Sequence, residues 1–306
     1  MTDLKSVVAI LDNDNFHSPK LIVQQYLSLC KPKVVLLLLM TAIVGMVLST
    51  DGWVPLDILL FGTLGIALAA ASAAVVNHVV DNKIDGKMAR TANRPIVRKY
   101  IPIEHALIFA TAMGLLSMAI LVYFVNQLTA VLTLLGLVGY ACVYTVYLKH
   151  ATPQNIVIGG LSGALPPLLG WTAVTNSIDR EAILLVLIVF VWTPAHFWPL
   201  AIDRLEEYKR ANVPMLPVTH GIEFTKNYVL FYTGVLLIVS LIPFFIAMSG
   251  LLYLVGASIL GCWFLSNAIE LKFFPTKISS MKTFRVSIYY LLLLFVCLLV
   301  DHYFVS

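Results

Sequence analysis

The sequence predicts an all-α membrane protein of nine transmembrane helices, N-terminus in the cytoplasm and C-terminus in the periplasm. Three observations predict it. Of 306 residues, 60% are apolar and 12% charged, against about 25% charged in a soluble protein. Nine nearly uncharged runs follow one another, each long enough to cross an apolar layer of about 30 Å. Lys and Arg gather in alternate connections, as they do where basic loops stay in the cytoplasm.

Residues 1–33 read as a cytoplasmic segment whose stretch 21–29 forms a short amphipathic helix on the membrane surface. The apolar run 7–11 is too short for a signal peptide. One domain, 34–306, then holds spans at roughly 34–50, 55–76, 103–125, 128–148, 154–174, 182–202, 227–248, 251–271 and 285–304. Asp51-Gly52, Asn126-Gln127, Asn176-Ser177 and Ser249-Gly250 mark turns between them. The basic residues confirm the spacing. Lys5, Lys20, Lys31 and Lys33 precede span one, and Lys83, Lys87, Arg90, Arg94, Arg98 and Lys99 follow span two. Lys149 follows span four; Arg204, Lys209, Arg210 and Lys226 follow span six; Lys272, Lys277, Lys282 and Arg285 follow span eight. Only Arg180 falls on the other side, and an error in the count would break this alternation. A bacterial inner membrane is the expected location, with the lipid bilayer as its solvent. The formal charge of +4 comes from these loops and implies no nucleic-acid partner. Cys30, Cys142, Cys262 and Cys297 stand singly, without CxxC or zinc spacing, and read as packing residues.

The chemistry sits where span two ends. Asn77, Asp81 and Asp85 recur every four residues, and each step drifts only about 40°, so they share one helical face. The arginine-rich stretch behind them suits a polyanion bridged by a divalent metal. Span six runs in the same direction and ends in Asp203, Arg204, Glu206 and Glu207, an echo of the first site at the same membrane face. Two carboxylate pairs at one depth suit two Mg²⁺ ions bound with a diphosphate. Taken singly these charges also fit ordinary surface pairs. Against that, they begin within a turn of an apolar span, where an ionisable group costs roughly 2.5–3.5 kcal/mol if drawn into the core. A third polar cluster, Tyr144 to Asn155 with Lys149, joins spans four and five, and alone it fits an interfacial tyrosine belt. His78 and His196 fit either interhelical hydrogen bonds or substrate contact. An ion-coupled transporter would place such carboxylates near the midplane, not at the cytoplasmic ends of spans. A purely structural subunit remains the other class.

Three stretches carry a resemblance: 77–95 (NHVVDNKIDGKMARTANRP), 144–171 (YTVYLKHATPQNIVIGGLSGALPPLLGW) and 192–217 (WTPAHFWPLAIDRLEEYKRANVPMLP). In these the chain resembles the UbiA-type intramembrane prenyltransferases, and within them the branch that farnesylates haem. The second acidic motif departs from the family pattern, with Glu206-Glu207 in place of aspartates. The resemblance implies a nine-helix prenyltransferase bundle and transfer of a farnesyl group from farnesyl diphosphate to a vinyl group of haem B, with addition of water. It implies Mg²⁺ on Asp81, Asp85, Asp203, Glu206 and Glu207. Arg90, Arg94 and Lys149 then assist the departing diphosphate, while Asn77, His78, Arg98, Tyr144, Asn155, His196 and Arg204 contact substrates. Haem B enters as substrate, and no c-type CxxCH is present to fix it as a cofactor. A haem A synthase or terminal oxidase is the expected product acceptor. A related enzyme acting on a quinone precursor or chlorin is the nearest alternative.

Overall fold

The computed structural model describes residues 19–276 and 278–304. Residues 1–18 of the expected cytoplasmic segment, Lys277 and the last two residues lie outside the described residues. Among those described there is no strand. The helices are α1 (Pro19–Leu29), α2 (Pro32–Leu48), α3 (Leu56–Val80), α4 (Ile103–Phe124) and α5 (Gln127–Val138). α5 continues as a π-helix, Gly139–Leu148, before α6 (Asn155–Ala164) and α7 (Pro166–Thr175). α8 (Arg180–Asp203), α9 (Ile222–Phe245), α10 (Leu251–Phe273) and α11 (Ser279–Phe304) complete the bundle.

Among the described residues eight helical stretches are long and apolar enough to cross a membrane, and a ninth arises if the bent pair α1–α2 counts as one span. The expected first span is the helix α2, which Pro32 starts afresh at 55° to α1. Leu27 and Val23 of α1 are exposed, in keeping with a helix lying in an interface. The fifth span is broken at Leu165, because Pro166 and Pro167 cannot donate the backbone bonds that would join α6 to α7.

α3 lies along α4, α7 along α2, α8 along α9, and α10 between α9 and α11. α11 returns to α2 and closes the ring. Large apolar side chains such as Leu36, Leu60, Leu115, Ile238 and Ile259 face outward. In water that would be costly, but in lipid it is the ordinary surface. With lipid as apolar as the interior, helices are held by close approach of small residues. A Cβ on Gly170 would stand 1.8 Å from the Ala42 carbonyl oxygen, and one on Gly45 would stand 2.0 Å from that of Pro167. α2 and α7 therefore touch backbone to backbone at two levels. Gly170→Ala is expected to push them apart and cost about 1–3 kcal/mol, read as a lowered thermal midpoint in detergent. An unchanged midpoint would show that this contact does not hold the pair.

Candidate functional site

α3 ends at Val80, Asp81 caps it, and a short helix, Asn82–Asp85, carries the chain into the basic loop. The four-residue spacing survives this break and keeps Asn77, Asp81 and Asp85 inside the protein, with Asp81 at 2% and Asp85 at 3% exposure. Carboxylates buried to this degree need partners, and each has a cation. Lys149 Nζ lies 2.6 Å from Asp81 Oδ2, and Arg94 pairs with Asp85. Burial pushes the Asp85 carboxyl above its ordinary value, and Arg94 beside it pulls it back only in part. Asn77 Nδ2 donates to Asp81 Oδ2 at 2.9 Å and to Thr145 Oγ1 at 3.3 Å. Its carbonyl oxygen accepts from Lys31. Asn77 Nδ2 and Lys149 Nζ thus converge on one oxygen of Asp81; the other, Oδ1, is buried without a partner.

The second motif is built differently. Arg204 sits between Asp203 at 3.2 Å and Glu207 at 3.0 Å. Glu206 is turned to solvent, its side chain 74% exposed, and pairs with Lys209 at 2.9 Å. Glu207 is buried and its Oε2 has no partner. A difference of one position, about 100° of helical rotation, therefore decides which glutamate faces inward. Tyr208 ties the motifs together. Burial pushes its phenol up, Arg90 pulls it down, Glu207 pushes it up, Arg204 pulls it down and Asp81 pushes it up. Its ring stands in the field of both acidic stretches. It packs in one apolar cluster with Met88 behind the first motif and Ala201 before the second.

The remaining expected residues divide. Arg90 is exposed, and Arg98 is exposed and bonds to Asn93 Oδ1 at 2.5 Å, outside the cluster around Asp81. Asn155 is buried and donates to the Thr152 carbonyl at 2.8 Å, so one half of its amide serves a local turn and Oδ1 stays free. The Tyr144 ring fills the space beside Gly159, where a Cβ would stand 2.0 Å from it. Both ring nitrogens of His78 are buried without a partner. His196 is held between Trp192, centroids 4.2 Å apart, and Phe284 at 4.6 Å, with Nδ1 2.7 Å from Ser287 Oγ. Both faces of the imidazole are thus covered, and only its edge is left for a ligand. Among the described residues no three His, Cys, Asp or Glu side chains come together as a ready metal cage. Each of the five carboxylates singled out in the sequence has a lysine or arginine against it: Lys149 on Asp81, Arg94 on Asp85, Arg204 between Asp203 and Glu207, and Lys209 on Glu206.

Two participants escaped the sequence reading. Lys31 counts there as one more cytoplasmic charge. In the structure its backbone is left-handed (φ 50°), which turns the side chain from the α1–α2 break onto Asn77. Thr145 lies within the polar stretch 144–155, but nothing there sets it apart from its neighbours. Beside this cluster lies a cavity of about 160 Å³ between α2, α3, the π-helix and the α6–α7 break. Lys31 and Tyr140 line it, and Ala70, Ala73, Ile66 and Leu169 make its walls apolar. The arrangement offers charge-holding groups next to an apolar chamber, as a substrate with an anionic head and a hydrocarbon tail requires.

The profile of the UbiA prenyltransferase family matches residues 38–293. The protoheme IX farnesyltransferase of Legionella pneumophila (strain Lens) is 59% identical over 281 residues, covering 92% of this chain and 96% of that protein. That of Shewanella denitrificans is 56% identical over 280 residues, covering 92% and 93%. Among solved structures, a digeranylgeranylglyceryl phosphate synthase superposes with a TM-score of 0.78 at 18% identity, over 92% of this chain and 98% of that one. A UbiA homologue from Archaeoglobus fulgidus, bound to GPP and Mg²⁺, gives 0.65 at 16% identity, over 90% and 99%. These two share the fold. The chain belongs to the UbiA prenyltransferase family.

Proposed function

We propose that this chain transfers a farnesyl group from farnesyl diphosphate to a vinyl group of haem B, with addition of water, giving haem O and diphosphate. The observation that carries the reading is the buried Asp81 cluster beside an apolar cavity, in a chain 59% identical over 281 residues to a protoheme IX farnesyltransferase. The C1–O bond of the farnesyl diphosphate breaks with its electron pair leaving on the diphosphate. The vinyl group supplies the pair for the new carbon–carbon bond. Water captures the resulting cation and gives up a proton.

The chain's own residues fit Mg²⁺ bound with the diphosphate, as GPP and Mg²⁺ are bound in the Archaeoglobus homologue. The available donors are carboxylate oxygens, which suit a hard cation. Asp81 Oδ1 and Glu207 Oε2 are buried acceptors with no partner. Asp81, Asp85, Asp203 and Glu207 are the residues that would hold the ion, whose charge makes the diphosphate a better leaving group. Lys149 and Arg94, now paired with Asp81 and Asp85, carry the N–H groups that reach phosphate oxygens. The apolar walls keep water from the reactive carbon. Incubating the purified protein with haem B, farnesyl diphosphate and Mg²⁺, then weighing the pigment by mass spectrometry, tests the reading. Prenylation of a hydroxybenzoate or a chlorin with haem left untouched would overturn the choice of acceptor.

The protein is a multi-pass membrane protein. Its place is the bacterial inner membrane with the acidic loops in the cytoplasm, and its product passes to a haem A synthase or terminal oxidase there. A reporter fused after Ser306 is expected on the periplasmic side and one inserted beside Lys277 in the cytoplasm. Both on one side would break the alternation that puts the two acidic motifs on the same face.

A further inference from the structure

The π-helix is the least expected element of this fold. Such segments are rare and short where they occur, and this one runs for ten residues, Gly139–Leu148. Its effect is a change of register. In an α-helix Tyr140 and Lys149 would point about 180° apart, and residues five apart about 140° apart. In the wider winding the hydrogen bonds join residues five apart, so those residues line up. The backbone N–H of Lys149 reaches the Tyr144 carbonyl, and the Thr145 hydroxyl reaches the Tyr140 carbonyl at 2.8 Å. Tyr140, Tyr144, Thr145 and Lys149 thereby share one side of the helix. Tyr140 lines the cavity, its ring tilted against Tyr144 with centroids 5.4 Å apart. Lys149 lies on Asp81.

Thr145 is where this winding meets the first acidic motif. It is fully buried. Its one O–H is spent on the Tyr140 carbonyl, so its oxygen is left to accept, and Asn77 Nδ2 donates to it at 3.3 Å. That leaves no freedom in the Asn77 amide. Its oxygen must accept from Lys31 and its nitrogen must donate to both Thr145 and Asp81 Oδ2. Lys149 closes on the same Oδ2. The outcome is an Asp81 carboxylate held by one oxygen, with the other presented unbonded.

We infer that Thr145 is a positioning residue: through Asn77 its hydroxyl fixes the orientation of Asp81, and the π-helical winding exists to deliver it together with Lys149. The inference rests on the reading that Asp81 serves a metal-bound diphosphate. Replacing the hydroxyl leaves an Asn77 N–H buried without an acceptor and frees the amide to turn.

The test uses the full chain in detergent, with calorimetric binding of farnesyl diphosphate over a series of Mg²⁺ concentrations and a thermal melt of each variant. Thr145→Val keeps the shape and removes the hydroxyl. It is expected to weaken farnesyl diphosphate binding and raise the half-saturating Mg²⁺ concentration, each by roughly tenfold or more, with the melting midpoint little moved. Thr145→Ser, which restores the hydroxyl, is expected to bind within about threefold of the unmutated protein. Should Thr145→Val fail to fold, Thr145→Ala is read in its place. The inference is overturned if the hydroxyl-free variant binds like the unmutated protein, or if Thr145→Ser loses as much. It is also overturned if the loss only follows unfolding, the folded fraction binding normally. If the unmutated protein itself ignores farnesyl diphosphate, the proposed function fails instead, and the two failures are told apart.

Discussion

Asp81→Asn is expected to cripple farnesyl transfer while leaving the helical bundle folded. The substitution hardly changes volume, so the bundle around it has no cavity to fill. What changes is charge and acceptor capacity. Asp81 Oδ2 receives both Asn77 and Lys149, and Oδ1 is the unbonded acceptor beside them. An amide offers one acceptor oxygen in place of two; with that oxygen turned to Asn77 and Lys149, its NH₂ donor takes the place of the unbonded Oδ1. Turnover is expected to fall by about 10²-fold to 10³-fold at least, the range lost when a single charge-stabilising group is removed from an active site. Breaking a fully buried ion pair can cost about 3–5 kcal/mol. Here Lys149 lies at the end of a span with 13% of its side chain exposed, so water reaches it and the expected loss is nearer 1–2 kcal/mol. Circular dichroism and a thermal melt check that half of the statement. Withholding Mg²⁺ from the unmutated protein should reproduce the catalytic loss with no substitution at all. Full turnover in the presence of EDTA would refute the role given to these carboxylates.

The parts of the molecule that were legible in the sequence are those set by a period or a run. Uncharged stretches of 20 residues have one stable place, and the charges between them fall where lipid excludes them. The spans therefore come out close to their observed limits. Pro166-Pro167 allows a kink in span five, since neither residue has a backbone N–H to donate. Asn77, Asp81 and Asp85 could be placed together because they share a helical face and because they end an apolar span. What could not be read depends on contacts between distant segments or on small rotations. Lys31 reaches Asn77 across 46 positions by way of a left-handed residue, a conformation that nothing in Cys-Lys-Pro demands. The choice between Glu206 and Glu207 turns on one step of a helix only six residues long. The π-helix has no composition signal, since its residues would make an acceptable α-helix. Arg98 looks equal to Arg94 on a list of basic residues, yet only Arg94 turns back to Asp85. The alanines of α3, on which the sequence is silent, form part of the wall of a cavity.

His196→Ala should separate the two substrates. His196 lies seven residues, two helical turns, before Asp203, and so about 10 Å deeper in the membrane than the second motif. The carboxylates and cations proposed to hold a diphosphate lie at the helix ends, at the other level of the membrane. Its ring is fixed on three sides by Trp192, Phe284 and Ser287. So much support for one imidazole in an apolar span is hard to account for as packing alone, because a phenyl ring would stack as well without a nitrogen to satisfy. With both faces covered, the ring cannot stack on a porphyrin; the Nε2 edge is the group left to contact one. Removal is expected to weaken haem binding by roughly tenfold or more, the effect of losing one buried hydrogen-bonding group. Farnesyl diphosphate binding should stay within about twofold, since sites that share no partner act independently. Absorbance titration with haem B and calorimetry with farnesyl diphosphate read the two separately. His196→Phe sharpens the comparison by restoring the stack without the nitrogens. If it recovers haem binding, the imidazole only packs; if it recovers stability but not haem binding, the Nε2 edge is the contact. A variant that loses the diphosphate and keeps the haem would place His196 in the other half of the site and reverse the assignment.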